Sequence, residues 1–164
     1  MPESLFASAL ALAACGGGAA DEGTWGAGNG PDFCQAGRRS ESRAFWITLR
    51  RPAAGSALSV RGPAFEGIGQ GSLQPGFTLA IDGEPVRAEA RGALDRGQAG
   101  LDFHFNPRLL LTRHPRGFEA VVLNDGREVH RTRIEGPEAA EAIAKTLACD
   151  RELRRSGRID SFRR

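Results

Sequence analysis

The stretch SRAFWITLR, residues 42–50, decides how the rest of the chain is read. Phe45, Ile47 and Leu49 fall on one side of an extended backbone and Trp46 and Thr48 on the other. That period of two, in β-branched and aromatic residues, predicts a strand with one face buried in a sheet. Pro52 and Gly55 close it. Working outward, the same signs predict strands over residues 56–61 with Leu58 and Val60, 77–81 with Leu79, 85–90, 101–105 with Phe103, 119–123 and 128–134. Asp82-Gly83 and Asn124-Asp125-Gly126 carry the residues that tolerate the positive φ of tight hairpins, and the second joins 119–123 to 128–134. Residues 61–76 are rich in Gly and read as a long loop or irregular hairpin, while PRLLLTR at 107–113 fits either one turn of helix or a short buried strand.

Past the strands, Gly136-Pro137 opens a helix with Pro at its first position and Glu138 and Glu141 in its first turn, where they complement the helix dipole. Ala140, Ile143, Ala144 and Leu147 then recur at helical spacing, an apolar stripe that needs a sheet to cover. Several strands followed by one helix give a mainly β (α+β) fold: an antiparallel sheet or partly open β-sandwich with the C-terminal helix packed on it. The expected organisation is a single domain over 33–156, within a chain of 164 residues that is 40% hydrophobic and 26% charged.

The amino terminus reads differently. Residues 5–14 are an uncharged apolar run, too short to span a bilayer as a helix and of the length of a signal-peptide hydrophobic region. It ends in Leu12-Ala13-Ala14-Cys15, which resembles the lipobox of bacterial lipoproteins. The resemblance implies a signal peptide over 1–14, removed on the amino side of Cys15, and acylation of the Cys15 thiol. Several acyl chains, each adding about 0.8 kcal/mol per buried methylene, would anchor the protein to a membrane. Met1-Pro2-Glu3-Ser4 departs from the pattern, because export signals begin with positive charge and none stands here. The alternative is a cytosolic domain led by an Ala-rich helix. Residues 16–31 (GGGAADEGTWGAGNGP) cannot continue a helix and read as a flexible tether, expected over 15–32 with a mean span of roughly 20 Å.

Cysteine parity supports export. The chain has three cysteines, and lipidating Cys15 leaves Cys34 and Cys149, which we expect to be bonded in an oxidising compartment. The run VVLNDGREVHRTRIEGPEAAEAIAKTLAC, a hairpin, a Gly and an Ala-rich helix ending in Cys, resembles the carboxy-terminal half of invasion-associated locus B family proteins. That resemblance implies a small exported β-rich domain of the bacterial envelope. Gly16 after Cys15 is compatible, by resemblance to enterobacterial sorting, with the outer membrane facing the periplasm.

Chemistry is sparse. His104 is expected to share a strand face with Asp102, and His130 with Glu128, the only acid–base pairings the strands suggest. No His-Glu-x-x-His, Cys-x-x-Cys or Gly-x-Ser-x-Gly spacing occurs, so no catalytic residue, metal ligand or cofactor is assigned. GIGQGS at 67–72 has neither the dinucleotide-binding spacing nor the Lys of a phosphate loop, and reads as a turn or bulge. Net charge is +2, and the basic tail over 157–164 offers contact with anionic lipid or an envelope protein; with an export signal, nucleic acid is not an expected partner. The expected function is a lipid-anchored binding or accessory module and not an enzyme. The competing reading is a small exported hydrolase or metal-dependent enzyme, which requires His104 and His130 to converge in one cleft.

Overall fold

A computed structural model of the chain describes residues 23–51 and 53–156. The expected signal peptide, Cys15 and the basic tail over 157–164 lie outside the described residues. Within them are ten strands in two antiparallel sheets and two α-helices, α1 (Arg108–Arg113) and α2 (Pro137–Arg155). The first sheet places side by side β1 (Gly26–Asn29), β2 (Phe33–Arg39), β3 (Ala44–Arg50), β4 (Ala57–Arg61), β8 (Gln98–His104) and β7 (Glu89–Asp95). The second runs β10 (Arg127–Ile134), β9 (Phe118–Asn124), β5 (Phe77–Ile81) and β6 (Glu84–Val86).

The register follows from the alternation in β3. Phe45 opposes Val60 and Ile47 opposes Leu58 on β4, and the row continues to Leu101 and Phe103 on β8. These side chains meet Leu79, Ile81, Phe118 and Val122 of the second sheet in one buried cluster. A side chain of this kind contributes roughly 1.5–3 kcal/mol when fully buried, so the two inner faces are what hold the sheets together. Every residue of β4 is buried on either face.

Three two-residue turns connect hairpins with both central residues at positive φ: Asp82-Gly83, Asp125-Gly126 and Arg96-Gly97. The first two were expected from their Asp-Gly pairs. The third was not, because Arg96, at φ 47°, carries no side chain that favours that region.

Several expectations are corrected. The single strand expected over 85–90 is two: β6 ends at Val86 in one sheet and β7 begins at Glu89 in the other, so the chain crosses between sheets at 87–88. Residues 107–113 resolve as helix α1 after Pro107. The loop at 61–76 contains a 3-10 turn at Pro63–Phe65 and then lays Gly71, Ser72 and Gln74 along the outer edge of β7. The expected tether is shortened: Gly26–Asn29 pairs with β2, Gly26 opposite Gly37 and Asn29 opposite Cys34, so the end of the Gly-rich stretch belongs to the sheet. Small residues suit β1 and β2 because α2 packs against both.

The buried face of α2 is Ala139, Ala142, Ile143, Thr146 and Asp150, while Ala144 is exposed. The expected stripe shared only Ile143 fully. The phase is set by Cys149, which is joined to Cys34 of β2 with a Cα–Cα distance of 5.9 Å; Thr146 and Ala142 lie one and two turns before it on the same face. Buried Asp150 is held from two sides, by Arg154 Nη2 at 2.6 Å and by Arg108 Nε of α1 at 3.2 Å.

Candidate functional site

Two clusters of chemistry-bearing side chains stand out, one on each side of the first sheet. On its outer face, Trp46 lies between two guanidiniums, Arg39 at 5.1 Å and Arg61 at 4.6 Å from the ring centroid. Arg39 pairs with Asp95, and Arg61 Nη2 donates to Asp102 Oδ1 at 2.8 Å. The cluster draws on five strands: Arg39, Trp46 and Arg61 come from the neighbouring β2, β3 and β4, and the carboxylates Asp102 and Asp95 from β8 and β7. Arg61 is only 3% exposed, and it can lie flat because its cross-strand partner is Gly100: a Cβ there would meet Val60 O at 1.9 Å and Arg61 Cδ at 2.6 Å. Its Nη1 donates to the Val60 and Leu101 carbonyls, while Nε has no partner among the described residues.

His104 is on this face with Asp102, as expected, and lines a shallow hollow of about 380 Å³ with Trp46, Arg61, Arg91 and Asp102. Asp102 is already engaged by Arg61, so the expected His104–Asp102 couple is not formed. A hollow of this openness on a sheet face presents an aromatic edge and fixed charges to a ligand without enclosing it.

His130 belongs to the other cluster, and its expected partnership with Glu128 is overturned by a β-bulge. The ladder between β9 and β10 shifts between Glu128, opposite Leu123, and His130, opposite Val122. The extra residue breaks the alternation, so Glu128 stays outside with Arg131 while His130 turns inward. There its Nε2 is 2.9 Å from Thr132 Oγ1, and its ring meets that of Phe65 at 5.5 Å. Burial, then the charges of Arg43 and Arg38, push the His130 imidazole down to about 4, so it is neutral at physiological pH. A cavity of about 10 Å³ lies among Arg38, Arg43, Ala44, Phe45, His130 and Thr132. Arg38 also reaches across to the Arg133 carbonyl at 3.2 Å and stacks over Trp25 at 5.1 Å.

Outside the bulge, Arg131 is clamped between Glu128 (Nε–Oε1 2.8 Å) and Glu119, and Arg133 Nε reaches Glu119 at 2.9 Å. The arginines hold both carboxyls below the usual glutamate range. His114, for which the sequence suggested no partner, caps α1 and has Nδ1 3.2 Å from Asp82 Oδ2. His104 and His130 therefore sit on different sheets and line different hollows, and the convergence required by a hydrolase or metal-dependent reading is not formed. Among the described residues no three His, Cys, Asp or Glu side chains are grouped to hold a metal ion. The inward His130 cluster was beyond sequence reasoning, since nothing in REVHRTRI announces a bulge. No protein-family model, curated protein or solved structure matches the chain.

Proposed function

We propose that the protein is a bacterial envelope lipoprotein, anchored through lipid on Cys15 at the outer membrane and facing the periplasm, whose folded part is a binding or accessory module. The observation that carries this reading is cysteine parity: the bond between Cys34 and Cys149 leaves Cys15 as the third cysteine, and it stands in Leu12-Ala13-Ala14-Cys15. A bridge spanning most of the domain fits an oxidising compartment. The module reading is supported by the separation of His104 from His130 and by the engagement of Asp102 with Arg61. The likeness to invasion-associated locus B proteins points to the same compartment and rests on the carboxy-terminal run alone. Metabolic labelling with palmitate tests the anchor: the native chain takes up label and a Cys15→Ser version does not. Label retained by the variant, or absent from both, removes the proposal.

A further inference from the structure

The first sheet spends its inner face on the second sheet and on α2, and no strand or α-helix stacks on its outer face among the described residues. One register row crosses all six strands on that outer face: Gly26, Gly37, Trp46, Ser59, Asp102 and Arg91. The neighbouring row runs from Gly28 and Gln35 to His104. Trp46 is the one large apolar side chain of these rows, and hollows of about 420 Å³ and 380 Å³ meet on it. Gly28, Gln35 and Gly37 line the first, Asp102 and His104 the second. Gly37 gives Trp46 its place, since a Cβ there would meet Trp46 Cβ at 2.4 Å. Neither a positive φ nor a close contact demands Gly26 or Gly28, where a Cβ meets nothing within 4 Å. A side chain at either would stand in the first hollow, so these glycines keep it open.

We propose that this face binds an extended, neutral, β-linked oligosaccharide lying across the strands, with Trp46 at its centre and sugar rings in the hollows on either side. The inference rests on the reading of the folded part as a binding module, and not on the lipid at Cys15. A saccharide matches the face in charge. Arg39, Arg61 and Arg91 are each set against a carboxylate, Asp95, Asp102 and Glu89, so these pairs present fixed donors and acceptors without net charge. Sugar hydroxyls both donate and accept, and the face keeps capacity for them. Asp102 takes Arg61 on Oδ1 alone, and the Trp46 indole N–H and the His104 ring have no hydrogen-bond partner among the described residues. Because Arg61 is buried and the other charges are tied in pairs, little rotamer freedom is left to lose on binding. The C–H faces of the sugars rest against indole and glycine. Six strands span about 24 Å, room for a short chain. Other occupants match less. An anion finds guanidiniums already neutralised, and a peptide strand seeks an edge, which on β7 is taken by Gly71, Ser72 and Gln74. A second copy needs a core of large apolar side chains, where these rows supply Trp46 alone.

The test uses the full chain, isotope-labelled and titrated with cellohexaose and with chitohexaose, while the indole N–H signals of its two tryptophans are followed by NMR and assigned with Trp46→Phe. The expected result is saturable binding that moves the Trp46 signal and leaves that of Trp25, which packs against Phe45 of the core, in place. Raising salt to about 0.5 M leaves the affinity unchanged, because no net charge is neutralised. Trp46→Ala abolishes binding, and two milder variants keep the site testable if that one does not fold. His104→Ala weakens affinity about threefold or more, the loss of one hydrogen bond. Gly28→Gln, which sets a side chain into open space in the first hollow, weakens it at least as much. Native affinity in both His104→Ala and Gly28→Gln overturns the site. So does binding that falls steeply with salt, a concentration-dependent dimer that hides Trp46 from the sugar, or no response to either hexaose. The two probes separate the sources of the glycan: preference for chitohexaose assigns an N-acetylated glycan of the cell-wall type, and preference for cellohexaose a plain hexose polymer. A chain that binds neither leaves the Cys15 anchor standing, and failed palmitate labelling leaves this site standing.

Discussion

Single residues make two features of this domain possible. Gly100 leaves room for Arg61 to lie across β8 and reach Trp46. Gly100→Ala drives a Cβ into the Val60 carbonyl, so β4 and β8 must separate or Arg61 must leave its slot; overpacking of this kind costs about 1–3 kcal/mol. Urea unfolding measures that loss, and a change below a few tenths of a kcal/mol would mean the sheet yields without strain. His130 makes stability depend on pH in a definite direction. Its folded value of about 4 lies below the ordinary 6.5, so the unfolded chain takes up the proton first. Stability should be full above pH 6.5 and fall as pH drops towards 4, by an amount on the order of 2–3 kcal/mol. Glu119 and Glu128 act in the same sense at lower pH, since their depressed carboxyls lose stabilisation only below the usual value of 4.5. His130→Gln should flatten the decline between pH 6.5 and pH 4.5 in denaturant titrations, leaving only the carboxylate loss below pH 4.5.

At the scale of elements, legibility tracked how much each one declares its environment locally. β3, β5 and β9 announce themselves through alternating large apolar residues, and α2 through its Pro and acidic first turn. β1 and β2 do not, because their buried positions under the helix are the small Cys34 and Ala36, and the rest of the pair is Gly-rich or polar and lacks alternating large apolar residues. The helix face was misjudged because periodicity leaves a helix free to rotate by one residue, and the bond at Cys149, not apolarity, sets its rotation. The Arg96-Gly97 hairpin was missed for want of an Asn or Asp, which yields a prediction. Arg96→Asn supplies the residue that a positive φ favours, and should raise stability by about 0.5–1 kcal/mol in the same unfolding assay. Of the candidate sites, the His104–Asp102 face followed from simple alternation, while the His130 cavity depended on a bulge and on pairing between remote segments.

For the whole molecule the decisive link is the one between β2 and α2. The bonded cysteines are 115 residues apart, so reduction restores freedom to nearly the entire described chain. Replacing both Cys34 and Cys149 by Ala should cost about 2–5 kcal/mol, measured by thermal or urea unfolding, with the loss shared between loop entropy and the packing of α2. An unchanged midpoint would assign the hold on α2 to Asp150 with Arg108 and Arg154.

That bridge also gives the domain a mechanical direction. A pull arriving from the residues before β1 meets a four-residue edge strand whose first pair is Gly26 with Gly37 and whose last is Asn29 with Cys34. Because the strands are antiparallel and the load enters at the Gly26 end, β1 peels away one pair at a time, the mode of least resistance. The peeling front then arrives at Cys34, where the load passes covalently into α2 through Cys149. Trp25, just before β1, already sets its ring against Phe45 of the core at 5.8 Å, so a force on the amino-terminal side must draw out that indole and then peel β1, with the bridge as the covalent stop behind both.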